Sequence, residues 1–224
     1  MGIITLEKSD HLFWLGRYTE RVHTTLKMYL KSSDRMIDSD PNYYAVYCKK
    51  IGITNIYGSR ENFVKTYPFD ETDPNSVISN LNRAYDNAIV MRDYIGTETM
   101  AYIQLAIDDI KTAERGNTPL ADLMLAIDHI LAFWGCVNDL IDDEQIRNII
   151  KLGKGVERID LYLSLNHHVS EIKREYGRMK QFLAKSLMRY DENVLYTMDN
   201  MLSEYEFDYM NVRNLLRNLF TVSQ

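Results

Sequence analysis

Two short charged runs, each set in apolar sequence, carry the residues best placed to do chemistry. The first is Leu15-Gly-Arg-Tyr-Thr-Glu-Arg21 and the second is Leu152-Gly-Lys-Gly-Val-Glu-Arg158. Both read Leu-Gly-basic-x-x-Glu-Arg, and a β-branched residue follows each, Val22 or Ile159. On a helix, positions i, i+3 and i+4 project to one side. Arg17, Glu20 and Arg21 therefore share a face, as do Lys154, Glu157 and Arg158. Leu12, Phe13 and Trp14 lead into the first run, and Ile149 and Ile150 into the second. Charges beside a core-facing stripe are costly unless paired. Their partners are either other residues of the chain or a ligand.

These alternatives give different chemistry. In one, Arg17 with Glu20, and Glu157 with the cations beside it, close as local salt bridges that lock two helices. In the other, the two repeats meet near a pseudo-two-fold axis around one pocket. Arg17, Arg21, Lys154 and Arg158 would then hold an anion such as a carboxylate or phosphate, because the planar guanidinium fork suits bidentate grip. Glu20 and Glu157 would orient the arginines, or one would act as a general base if its pKa were raised. The predicted site thus has Glu20 and Glu157 in the catalytic role and the four cations as ligand-binding groups.

Other constellations are weaker. Glu20-Arg-Val-His23 has the Glu-x-x-His spacing of di-iron bundles, but such sites need a second copy and two more glutamates. The second repeat offers Glu157-Arg-Ile-Asp160 instead. Asp139-Leu-Ile-Asp-Asp-Glu144 suits a helix start, where acids favour the dipole end. His129 lies on an apolar helix and reads as a core histidine. His167 and His168 have no third ligand nearby. No Gly-rich phosphate loop, Gly-x-Ser-x-Gly elbow or cysteine-histidine nucleophile pattern is present. Neither a metal nor a cofactor is expected.

The elements that must position these residues are helices. Ser9 or Asp10 can cap a helix running to about Ser39, with Leu12, Leu15, Val22, Leu26, Tyr29 and Leu30 at three-four spacing. Pro41 stops it. Tyr43 to Ile51 forms a second short helix ended by Gly52. Residues 52–74 read as an irregular surface excursion or lid. Pro74 opens a helix to about Tyr94, and Gly96 breaks it. Another runs to Arg115 and stops at Gly116. Thr118-Pro119 starts the next, with a bend at Gly135. Asp142-Asp143 restarts a helix carrying the second repeat. Its glycines, Gly153 and Gly155, suggest close backbone approach. Residues 171–190 and 192–219 form a last helical pair, with a fraying turn around Ser223. The fold expected is all-α: one domain over residues 1–224, an antiparallel bundle of at least six helices.

Bulk composition narrows the function. The chain has 224 residues, 46% of them hydrophobic, with only 10 Gly and 4 Pro, which suits a helical core rather than a loop-rich or all-β protein. A net charge of −6 argues against a nucleic-acid footprint. Cys48 and Cys136 lack metal-type spacing and fit a reduced, cytoplasmic compartment. Glu7, Lys8, Asp10 and His11 stand where a signal peptide would need an apolar core. No unbroken apolar run reaches membrane-spanning length, so no membrane partner is expected.

The run His11-Leu-Phe-Trp-Leu-Gly-Arg-Tyr-Thr-Glu-Arg21 resembles the N-terminal motif of the alpha-E family, an all-helical bacterial family named for its Glu-Arg motif. Glu157-Arg158, with Asp160 after it, resembles that family's C-terminal motif. Ala84-Tyr-Asp-Asn-Ala-Ile-Val-Met-Arg-Asp93 is similar to its central Ala-Arg-Glu-Asn-Ala-Arg-x-x-Arg-Asp/Glu segment. Asn87, Ala88, Arg92 and Asp93 match there; Tyr85, Asp86 and Ile89 depart. Met100 stands where tryptophan is common and Lys154 where arginine is common. The resemblance adds Asn87 and Arg92 to the ligand-binding candidates. It implies an ATP-grasp or transglutaminase-like protein as partner, and so a peptide-ligating or peptide-modifying system. Two functions then compete: a bundle binding an anionic small molecule or peptide group, with or without catalysis, and a non-catalytic docking partner of an ATP-grasp enzyme.

Overall fold

The computed structural model describes residues 4–116, 119–204 and 206–220. Eleven helices and no strands occur among them. The predicted start at Thr118 and the turn around Ser223 lie outside the described residues.

The first helix, α1 (Leu6–Asp38), begins before Ser9 and Asp10 because Thr5 caps it, accepting from the Lys8 amide at 3.4 Å. Helix α2 (Tyr43–Ile51) ends where expected, at Gly52 with φ 74°, a left-handed conformation that glycine adopts at no steric cost. The excursion after it differs from its sequence reading. It contains a helix, α3 (Arg60–Thr66), capped by Ser59. Tyr57, Phe63 and Tyr67 are buried; Phe63 and Tyr67 pack edge-on or tilted against Tyr29, Tyr44 and Tyr47, and Tyr57 stands edge-on to Phe63 and Tyr67. The Tyr47 hydroxyl donates to the Thr25 carbonyl at 3.1 Å and lies 3.0 Å from the Tyr67 hydroxyl. Large rings bury enough apolar area to pin an otherwise irregular segment to the core.

Helix α4 (Val77–Val90) is capped by Ser76, so Pro74 precedes the helix rather than opening it. Met91 separates α4 from α5 (Arg92–Ile95), and Gly96 at φ 82° leads into α6 (Thr97–Arg115). Helix α7 (Pro119–Asp139) runs through Gly135 without interruption, and α8 (Glu144–Ser164) is capped by Asp143, which accepts from the Gln145 and Ile146 amides. The expected last pair is three helices: α9 (Val169–Ser186), α10 (Glu192–Ser203) and α11 (Tyr209–Asn218).

Helix α1 is the spine, packed chiefly against α8 and α4. Its pairing with α4 is antiparallel: Lys8 lies over Tyr94, His11 meets Asn87, and Arg83 lies over Tyr18. The α6–α7 and α8–α9 pairs are antiparallel hairpins, marked by Asp109 meeting His129 and Glu144 meeting Lys185. The α1–α8 pair is different. Residue numbers rise together along the contact, from Phe13 beside Gly153 to Arg21 beside Glu157, so these two helices run parallel. Residues Leu120–Asp139 of α7 are long and apolar enough to cross a membrane by length and composition, with mean hydropathy 1.6. Its apolar run is not unbroken, since Asp122, Asp128 and His129 interrupt it. Its inner face packs on α6, while Met124, Leu125 and Leu131 are exposed.

Candidate functional site

The two repeats meet at their glycines. A Cβ added to Gly16 would stand 2.0 Å from the Ile150 carbonyl oxygen, and one added to Gly153 would stand 2.0 Å from the Phe13 carbonyl oxygen. Ile150 precedes Gly153 by three residues, as Phe13 precedes Gly16, so the contact is reciprocal. Backbone approach this close is possible only without side chains at the crossing. Leu12, Leu15, Ile149, Ile150 and Leu152 are buried around it. The charged triplets therefore leave the crossing one turn later, facing the opposite helix.

They pair across the helices, not locally as the sequence allowed. Glu157, 1% exposed, receives Arg17 through Nε and Nη2 at 2.8 Å on Oε2 and Arg21 Nε at 2.5 Å on Oε1. Glu20, fully buried, receives Arg158 Nε at 2.7 Å and the Thr24 hydroxyl at 3.3 Å, both on Oε1. Each glutamate of one repeat thus binds arginine of the other. Charge-assisted bonds of this kind offset the large cost of burying the ions.

The symmetry fails at Lys154. It occupies the position equivalent to Arg17, but its Nζ lies 3.7 Å above the centre of the Trp134 ring. No lysine bond reaches Glu20, whose Oε2 has no hydrogen-bond partner among the described residues; His23 Nδ1, 3.9 Å away, has none among them either. An ammonium on a short-reaching point charge cannot copy the guanidinium fork, whereas the indole face offers a cation–π contact. Burial brings the Lys154 ammonium down to about 8, with the Glu20 charge opposing that shift. For Glu20 itself burial acts upward, but His23, Arg158 and Lys154 outweigh it and hold the carboxyl below its usual range. A general base would need the opposite shift.

A second layer of ions surrounds this lock. Asp160, 1% exposed, accepts from Nε of Arg213 at 2.9 Å and Nε of Arg217 at 3.0 Å, which anchors α11 to α8. Burial raises the Asp160 pKa, and the two arginines more than reverse it. Glu175 of α9 lies 3.5 Å from Arg158 and 2.8 Å from Arg178.

One cavity opens on the charged cluster. It measures about 330 Å³ and lies on the Glu157 side of the crossing. Arg17, Arg21, Arg83 and Arg217 face it against one carboxylate, Glu157. Trp14 and Tyr18 form an aromatic wall, their rings stacked 5.3 Å apart. Arg17 lies 4.7 Å from the Trp14 ring centre and Arg83 5.8 Å from that of Tyr18. Glu157 takes Nε of Arg21, and the two terminal nitrogens of that guanidinium have no hydrogen-bond partner among the described residues. In a chain of net charge −6, this is a local surplus of cations in a confined space.

The structure brings together Arg17, Arg21 and Glu157 at the cavity, with Glu20 and Arg158 paired beside it. Lys154 is turned to Trp134. Asn87 and Arg92 do not reach the cavity. Asn87 Oδ1 is 2.8 Å from His11 Nδ1 and its amide donates to the Arg83 carbonyl. Arg92 is largely exposed, 3.9 Å from Asp93. Arg83, Arg217 and Asn80 line the cavity without having been picked out as site residues. Arg83 sits one turn before Asn87, close to the motif that drew attention. Arg217 belongs to no repeated pattern, and only the folding of α11 onto Asp160 brings it in. Among the described residues no group of three or more His, Cys, Asp or Glu side chains is placed to hold a metal ion.

The fold and its ion pairs define an all-helical domain closed by reciprocal Glu-Arg bonds between two parallel helices. Residues 8–203 match the Alpha-E family model, described as a predicted alpha-helical domain with a conserved ER motif. The chain belongs to that family. No curated protein and no solved structure matches it.

Proposed function

We propose that this domain binds a small anionic molecule or an anionic peptide group in the arginine-lined cavity beside Glu157. The observation that carries this reading is the four arginines lining about 330 Å³ with Glu157 as the one carboxylate in the wall, Arg217 being shared with Asp160 behind it. The Glu-Arg lock is then the device that holds Arg17 and Arg21 rigid before a ligand arrives, which lowers the entropy lost on binding. Binding would serve a peptide ligation or modification system in the cytoplasm, with an ATP-grasp or transglutaminase-like protein as partner, as the family resemblance suggests. A catalytic role for Glu20 or Glu157 would require a ligand to displace an arginine from the carboxylate.

Calorimetric titration with acetate and with inorganic phosphate tests the reading. Arg83 belongs to the cavity but not to the lock, since its Nη1 donates to the Pro74 carbonyl and it pairs with no carboxylate among the described residues. Arg83→Ala is expected to weaken anion binding about tenfold or more, the scale of one charge-assisted hydrogen bond, while thermal unfolding stays close to wild type. Silence of both anions on the wild-type chain would overturn the reading.

The second reading, a non-catalytic docking partner, is favoured by the near-complete burial of Glu20 and Glu157. On that reading an ATP-grasp enzyme binds the domain with equal affinity before and after Arg83→Ala.

A further inference from the structure

The cavity contains one polar group that an anion alone does not satisfy. Asn80 is 2% exposed, and its Oδ1 has no hydrogen-bond partner among the described residues. The orientation of its amide is fixed from the other side. Nδ2 donates to the Ser76 carbonyl at 2.7 Å and approaches the Pro74 carbonyl at 3.5 Å. Two carbonyls on one side require the nitrogen there, so the oxygen is left facing away from them. Asn80 also lines the cavity shared by Arg17, Arg21, Arg83 and Arg217. A buried acceptor without a donor is destabilising, and a ligand that supplies a donor recovers part of that cost.

We infer that the ligand of this cavity is a carboxylate with an amide N–H close to it, as at the C-terminus of a peptide or in an N-acylated amino acid. The arginines take the carboxylate, and Asn80 Oδ1 accepts from the N–H. This rests on the anion-binding reading above and adds a chemical class to it. A free amino acid fits less well, since its ammonium would face four guanidinium groups. The stacked pair Trp14 and Tyr18 gives the rest of the ligand an apolar, planar surface.

N-acetylglycine and acetoxyacetate test this directly, because they differ only in N–H against ester oxygen beside the same carboxylate. In calorimetric titration of the full chain, N-acetylglycine is expected to bind about tenfold tighter than acetoxyacetate, and glycine no tighter than acetate. In Asn80→Leu the preference should vanish, with both ligands binding as acetoxyacetate binds the wild type. Equal affinity of the pair on the wild-type chain would overturn the inference while leaving the anion pocket standing. So would a preference that survives in folded Asn80→Leu, or glycine binding tighter than N-acetylglycine. If Asn80→Leu fails to fold, the wild-type pair decides alone. Absence of binding by every carboxylate and by phosphate would remove the pocket itself.

Discussion

Gly16 and Gly153 each lie under the backbone of the other's helix, with the carbonyls of Ile150 and Phe13 occupying the space that their side chains would need. Everything charged in the site depends on this distance. The glutamate of each repeat follows its glycine by four residues, so the crossing sets how far Glu20 and Glu157 must reach. It also explains why alanine, ordinarily the better helix residue, is excluded at these two positions. Gly16→Ala and Gly153→Ala are each expected to destabilise the fold by about 3–5 kcal/mol, the range of severe core overpacking and lost ion pairing together. Gly135→Ala and Gly177→Ala are the controls. Neither Cβ would meet any atom within 4 Å, so each should be neutral or add up to about 1 kcal/mol. Urea unfolding of the four variants gives the comparison. Similar stabilities for all four would refute the close crossing.

The two glutamates are not equivalent, and their removal should show it. Glu157 uses both oxygens, on Arg17 and Arg21, whereas Glu20 has Arg158 on one oxygen and no partner on the other. Arg158 also has Glu175 at 3.5 Å as a second anion. Glu157→Gln therefore leaves two arginines short of a counter-charge, and Glu20→Gln leaves one that is still partly paired. We expect a loss of about 3–5 kcal/mol for Glu157→Gln and a smaller loss for Glu20→Gln. Chemical denaturation of both proteins under one set of conditions measures the order, and the reverse order would contradict the pairing described.

Much of this was legible in the chain itself, though unevenly. The repeat could be read because identical residue types recur at identical spacing, and Gly153 could be read as a contact point because a helix retains it at a cost. The fold class followed from three-four apolar spacing and from caps such as Asp143 and Gly52. The pairing was not legible, since Arg17 has Glu20 as a sequence neighbour and Glu157 only through a parallel helix crossing. Phe63 is hidden in the sequence because the seven-residue α3 shows too few turns to reveal a period, and Tyr57 and Tyr67 flank that helix. Nothing in the sequence sets Asn80 apart, and only the burial of its oxygen gives it interest. Asn87 and Arg92 stood out by resemblance, yet one is committed to His11 and the other is exposed.

Acid should loosen the attachment of α11. Asp160 and Glu20 are both held below their ordinary pKa values in the folded chain. A carboxyl with a depressed folded pKa contributes stability above its unfolded pKa, and that contribution is lost as pH falls through the folded value. The denaturation midpoint should be flat from pH 7 to about 5 on this account and fall below about pH 4, where unfolded carboxylates take up protons. Asp160→Asn should be less stable than wild type at pH 7 and should lose less between pH 5 and pH 3. Urea midpoints across this range test the sign. An equally steep acid decline in Asp160→Asn would show that Asp160 carries none of it.

Lys154 makes the opposite contribution on the alkaline side. Its folded pKa is lowered from 10.5 to about 8 by burial. A base with a depressed folded pKa costs stability wherever the unfolded chain holds the proton and the folded chain resists it. The cost is full below about pH 8 and fades as pH rises towards 10.5. One pKa unit is about 1.4 kcal/mol, so with solvent screening of a partly accessible amine the cost at neutral pH is of the order of 1–3 kcal/mol. Lys154→Met keeps the apolar stem over Trp134 and removes the charge. It should raise the unfolding temperature at pH 7, and the advantage over wild type should shrink as pH climbs from 8 to 10. Parallel thermal melts across that range give the difference directly. A variant less stable than wild type at pH 7 would mean that the attraction of Glu20, together with the cation–π contact, exceeds the burial cost. Lys154 would then belong to the lock rather than weaken it.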